Sequence, residues 1–143
     1  MIPYGRQDIT RADIDAVVGV LQSDFLTQGP QVPLFEKVVA DHVGACRPLT
    51  GHRATGARQM ASLAVGRGQG DWLWTSPVTF VASANCALYC GAQVDFVDID
   101  PRTYNLCSQE LELKLAAAQA VGRLPKVVVV VHLCGQPCDM AAI

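Results

Sequence analysis

The sequence predicts an α/β fold built on a mainly parallel sheet, and three features of its 143 residues predict it. Short β-rich runs near 72–75, 93–97 and 127–131 alternate with helical stretches, which is the grammar of parallel strands joined by crossover helices. The run from Val127 to Val131 is unbroken valine, as suits a strand covered on both faces. Gly91 and Gly122 stand where helices must stop before a strand can begin.

Each element follows from local chemistry. Thr10 with Asp13 three residues on makes a shortened capping box, and Ile14, Val17, Val18 and Leu21 then recur at helical spacing. Residues 23–30 form a loop turned by Gly29-Pro30. Pro33 suits the first turn of a second helix, Phe35, Val38, Val39 and Val43 line one face of it, and Gly44 suits its end. From Cys46 to Arg58 no regular pattern holds, because Arg47, Pro48, Gly51, His52 and Arg53 break any strand. A short helix returns over 57–65, and Gly66 to Asp71 is a turn leading to the strand Trp72–Thr75. Ser76-Pro77 opens a loop into a helix over roughly 81–90. A strand over 93–97, a turn over 101–104 and a helix capped by Ser108 and running toward Val121 come next. After the last strand, Asp139 is expected to cap a further helix cut off at Ile143.

Composition narrows the function classes. With half of its residues hydrophobic and 17% charged, the chain reads as one soluble globular domain, though an abruptly ended one. A net charge of −2 without any Lys/Arg stripe gives nucleic-acid backbone binding little support. No apolar run approaches the roughly 20 residues that span a bilayer. The first eight residues hold no apolar signal core, so the expectation is a cytoplasmic protein with reduced thiols. The six cysteines, with His132, contain no Cys-x-x-Cys pair, so no metal site is expected and they read as small buried hydrophobes.

Four features tempt a functional reading. Gly66-x-Gly68-x-Gly70 lacks the last glycine of a dinucleotide fingerprint and precedes a strand rather than following one, so it reads as a turn. Asp95, Asp98 and Asp100 lie in and just after a strand, where ligands of open sheets bind. Turn chemistry around Asp100-Pro101 explains them more simply than metal or acid–base work. His132 follows a strand end beside Gly135-Gln136-Pro137, a site-like position, although a lone histidine is more often structural. Phe80, after Ser76-Pro77, offers a ring for stacking on a flat cofactor, with a core role as the alternative.

Several ordered blocks then carry a resemblance. Met1 to Gln7, Phe25-Leu26-Thr27-Gln28-Gly29-Pro30, Gly70 through Asn105, and His132 through Met140 resemble the DegT/DnrJ/EryC1/StrS aminotransferases, most of all those of the pseudaminic-acid pathway. The resemblance covers nearly the whole chain except about 45–60. It implies part of the large domain of the type I aminotransferase fold, a partial three-layer α/β structure. It also implies transfer of an amino group from glutamate to a UDP-linked 4-keto-6-deoxy sugar with pyridoxal phosphate as cofactor, in a homodimer. By resemblance, Phe80 stacks on the cofactor ring, and Thr27, Gln28 and Gly29 lie near substrate.

The match is partial where the cofactor phosphate should sit. The family pattern there resembles Asn-Ser-Ala-Thr-Ser-Ala at a helix start, where amide N–H groups face the phosphate. Here the stretch reads His52-Arg53-Ala54-Thr55-Gly56-Ala57, which keeps Thr55 and leaves Gly56 to offer its N–H. The altered stretch before it resembles a short reading-frame slip that later recovers. The Schiff-base lysine and the aspartate that pairs with the pyridine nitrogen are expected beyond residue 143, and Lys37, Lys114 and Lys126 match neither. The isolated chain is therefore expected to bind the cofactor weakly or not at all and to be inactive. An alternative is a non-enzymatic module that pairs through an exposed sheet edge with a full-length relative. The central strand is expected at 72–75, with 46–53 outside the sheet and the open side of 127–131 as an apolar edge.

Overall fold

The sheet is three parallel strands, β1 (Trp72–Thr75), β2 (Gln93–Phe96) and β3 (Val127–Val129), in the order β2-β1-β3. The computed structural model describes residues 5–143. Within them the chain forms two compact units, one up to Thr50 and one from Gly51 to Ile143.

In the second unit, α3 (Ala54–Ala64) precedes β1, α4 (Ala82–Leu88) joins β1 to β2, and α5 (Ser108–Ala120) joins β2 to β3. The pleat of β1 sends alternate side chains to opposite faces. Leu73 points toward α4 and packs with Cys86, Ala87 and Ala92, with Val94 and Val129 alongside. Trp74 points toward α5 and packs with Val97, Leu106, Leu111 and Ala118, with Trp72, Leu115 and Val128 alongside. Two helical layers therefore sandwich the sheet. Burial of Leu73, which is 0% exposed, is worth about 1.5–3 kcal/mol.

The central place of β1 and the irregular path of 46–53 match the sequence reading. Among the described residues, no strand pairs with the outer edge of β3. β3 is shorter than the 127–131 expected, and its valines are half-buried rather than fully covered. The reason lies in its neighbour. β1 ends where Ser76-Pro77 turns the chain, so Val130 and Val131 have no ladder to join. β2 stops at Phe96, although the Val97 N–H still bonds to the Thr75 carbonyl at 2.9 Å.

Other boundaries differ from expectation for local reasons. α3 starts at Ala54, three residues early, because first-turn N–H groups need no partner within the helix, so Thr55 and Gly56 cost little there. Cys107, not Ser108, holds the N-cap position of α5, in extended geometry, and Ser108 is already helical. α4 is trimmed to seven residues, with Gly91 at φ +74° beyond it. After Asp139 there is only a turn, held by the Ala142 N–H on Asp139 Oδ1 at 3.2 Å.

The first unit contains α1 (Arg11–Leu21) and α2 (Gln31–Val43). The capping box of α1 is present as expected, with Asp13 N–H donating to Thr10 Oγ1 and Thr10 N–H to Asp13 Oδ2. Gly44 ends α2 in the left-handed conformation at φ +70°.

Candidate functional site at the strand C-termini

Connectivity decides where a site belongs. From β1 the chain goes by way of α4 to β2 on one side, then crosses back over the opposite face through α5 to β3 on the other. The C-terminal ends of β1 and β3 thus flank a topological switch point, where open α/β sheets bind ligands. α3 and α4 each run back from this end of the sheet, because each is linked to a strand of fixed direction at its far end. Their N-termini therefore gather at the switch point.

Thr55 and Gly56 lie in the first turn of α3. The N–H groups of Ala54, Thr55 and Gly56 have no acceptor among the described residues, whereas the Ala57 N–H already bonds to the Arg53 carbonyl at 3.0 Å. Arg53 holds the N-cap position without a side-chain cap. Unpartnered amides at the positive end of a helix attract an anion. The His52 ring approaches closely: a Cβ added at Gly56 would fall 3.1 Å from His52 Cε1, so a residue larger than glycine would crowd the ring.

Phe80 sits in the β1–α4 connection at the same end of the sheet and is 66% exposed. Among the described residues it is not part of a buried core cluster. Thr75 Oγ1 donates to the Val129 carbonyl at 2.9 Å and ties the C-terminal ends of β1 and β3 together. Thr27, Gln28 and Gly29 belong to the first unit, where they form a tight loop before α2. Gln28 adopts φ +55°, and a Cβ at Gly29 would fall 2.8 Å from Phe25 Cβ, so the loop needs glycine there. The block Met1 to Tyr4 lies outside the described residues.

The acidic trio is turn and ion-pair chemistry. Asp100 accepts from Arg102 N at 2.8 Å and faces Arg102 Nη2 at 2.9 Å, which holds its carboxyl below the usual carboxylate range. Asp98 accepts from Ile99 N, and Asp95 pairs with Lys114 at 2.7 Å. His132 is structural, its Nδ1 accepting the Cys138 N–H at 3.1 Å. The cysteines divide: Cys86 and Cys138 are buried as expected, while Cys46 and Cys134 are exposed. Among the described residues no group of three His, Cys, Asp or Glu could hold a metal ion. Nor is any helix there long and apolar enough to cross a membrane.

Every lysine is engaged elsewhere. Lys37 pairs with Asp41 on its own helix. Lys114 is held by Asp95 and the Phe96 carbonyl over the Trp74 ring. Lys126, just before β3, bonds to the Gly66 carbonyl and to Asp71 at 3.0 Å.

One positioning residue escaped the sequence reading. Asn105 is 3% exposed and fastens the loop after β3, donating to the Gln136 and Pro137 carbonyls and accepting the Leu133 N–H, all within 3.2 Å. Its local signal, Thr103-Tyr104-Asn105, reads as turn chemistry and gives no hint of a bond thirty residues away.

Comparisons agree with this geometry. The profile of the DegT/DnrJ/EryC1/StrS aminotransferase family matches residues 7–143. The chain is 40% identical over 142 residues to the spore coat polysaccharide biosynthesis protein SpsC of Bacillus subtilis, covering 99% of this chain and 35% of that protein. It is 37% identical over 115 residues to the UDP-4-amino-4,6-dideoxy-N-acetyl-β-L-altrosamine transaminase of Campylobacter jejuni, covering 80% of this chain and 30% of that protein. Among solved structures, Spr1654 from Streptococcus pneumoniae in its PLP-form superposes with a TM-score of 0.84 at 26% identity, over 99% of this chain and 34% of that one. The chain thus spans about a third of the length of the curated relatives it matches. Ordered motifs, a doubly wound sheet and a family profile over almost its full length agree: the chain belongs to the DegT/DnrJ/EryC1/StrS aminotransferase family.

Proposed function

We propose that the two units are parts of one pyridoxal-phosphate-dependent aminotransferase domain that moves an amino group from glutamate to a UDP-linked 4-keto-6-deoxy sugar. The observation that carries this reading is the first turn of α3, with three unpartnered N–H groups at the switch point of the sheet. Those amides suit a phosphate dianion, and the exposed Phe80 ring at the same end suits one face of a flat heterocycle. Thr55 and Gly56 would hold the phosphate, Phe80 the ring, and Thr27, Gln28 and Gly29 the sugar nucleotide. When bound, pyridoxal phosphate supplies the electron sink for moving the amino group. Similarity to the altrosamine transaminase supports the sugar class, and the PLP-form of Spr1654 supports the cofactor. A homodimer and a cytoplasmic location go with this reading.

The residues present fit the phosphate and one ring face, while no lysine among them is free at the switch point. These 143 residues alone therefore bind the cofactor weakly and do not turn over substrate. Pyridoxal phosphate is added to the purified chain, reduced with borohydride, and the peptides are mapped while glutamate-dependent transamination is assayed. Scattered, substoichiometric labelling without turnover is expected. One stoichiometrically labelled lysine together with turnover overturns the inactive half of the proposal.

A second reading rests on the outer edge of β3, which has no strand partner among the described residues. An unpaired valine strand is a template for strand addition by a full-length relative. Co-purification with such a relative, lost on Val127→Pro, whose N–H faces away from β1, supports it; a chain that elutes alone in its presence counts against it.

A further inference from the structure

Two adjoining hollows surround the N-terminal end of β1, opposite the switch point. One of about 390 Å³ lies between β1, β2 and α5, lined by Trp72, Trp74, Asp95, Lys114, Ala117 and Arg123. The other, about 580 Å³, shares Trp72 and Arg123 and adds Gly70, Gln93 and Gly122. Together they form one trough with an aromatic wall, in the size range of small-ligand sites, about 300–1,000 Å³.

Charge decides what the trough would accept. Lys114 Nζ is 2.7 Å from Asp95 Oδ2 and 5.0 Å from the centre of the Trp74 ring, so this cation is matched by a carboxylate and caps one indole. Asp71 is matched by Lys126 at 3.0 Å. Arg123 is exposed, and among the described residues its guanidinium has no hydrogen-bond or ion-pair partner. The trough therefore carries one uncompensated positive charge. Space exists because α5 presents Ala117 and Ala118 opposite the indoles rather than large side chains, which leaves Trp72 half-buried.

We propose that this trough binds a planar aromatic carboxylate of one or two rings, its ring against the Trp72 indole and its carboxylate on the Arg123 guanidinium. Arginine suits the role because its planar fork matches a carboxylate with two parallel N–H donors. The site shares no residue with the cofactor reading and does not depend on it.

The chain has only two tryptophans, half-buried Trp72 in both hollows and core Trp74 in one, so quenching of the more accessible Trp72 reports on this place. The 143-residue chain is titrated with 4-nitrobenzoate and, separately, with neutral 4-nitrobenzyl alcohol, following tryptophan quenching. The expected result is saturable quenching by the carboxylate, with the alcohol about tenfold weaker, the scale of one charge-assisted hydrogen bond. Arg123→Gln brings the carboxylate down to the alcohol's affinity, and Ala117→Leu, which fills the hollow, weakens both. Arg123 and Ala117 are exposed, so both variants should retain the wild-type far-UV circular dichroism. Quenching that rises linearly and equally for both probes overturns the proposal, as does saturable quenching that either variant leaves unchanged.

Discussion

Arg67 is the residue that fits its surroundings least. It is 5% exposed, its Nε has no partner, and Nη1 reaches only the Cys86 sulfur at 3.9 Å. A buried donor left unsatisfied costs about 1–3 kcal/mol. Arg67→Met keeps most of the stem and removes the orphan, so it should raise the urea midpoint by the equivalent of about 1 kcal/mol. Nothing in Gly66-Arg67-Gly68 announces a buried guanidinium; the stretch reads as a solvated turn. Asn105 is the opposite case, a buried amide with its donors and acceptor satisfied. Asn105→Ala should cost about 1–3 kcal/mol and speed hydrogen exchange at the Leu133 and Cys138 amides before other sites. Asp71 accepts the Gly68 N–H and faces Lys126, and these hold its carboxyl below the usual range. A depressed folded pKa contributes stability above the unfolded value, about 3.9, that is lost as pH falls through the folded one. Asp71→Asn should therefore flatten the acid limb of stability against pH below about 4, read by urea melts across that range.

At the scale of elements, the strands were the most legible part of the sequence and the helix faces the least. Trp72–Thr75 is a strand because a tight glycine turn precedes it and a proline ends it, and both signals are local. The start of α3 is not legible in the sequence because first-turn positions tolerate Thr55 and Gly56. The start of α5 lies one residue earlier than its sequence suggests, because a capping serine and a first-turn serine look alike in sequence. α1 and α2 expose the apolar positions their spacing marks: Val17, Leu21, Phe35, Val38 and Val43 are all more than half exposed, and neither helix has a buried residue. Helices of 11 and 13 residues without a covered face are marginal in water. A peptide of residues 5–50 should accordingly show low helicity and a broad, uncooperative thermal transition by circular dichroism. A sharp two-state melt would mean that this unit has a core of its own.

For the whole molecule, the order β2-β1-β3 does the functional sorting. It gathers the start of α3 and the loop bearing Phe80 at one end of the sheet, and leaves the tryptophan trough at the other. Phe80 is legible locally as an aromatic in a loop after Ser76-Pro77, whereas Thr55 and Gly56 could be named from sequence only through resemblance to a family; topology brings the start of α3 and the Phe80 loop to one end of the sheet. The most direct test is an amide chemical-shift titration of the isotope-labelled chain with pyridoxal phosphate at millimolar concentration. Weak binding is expected, with the largest perturbations on Ala54, Thr55 and Gly56 and smaller ones on Phe80. An α3 first turn that stays unmoved throughout the titration would contradict that reading.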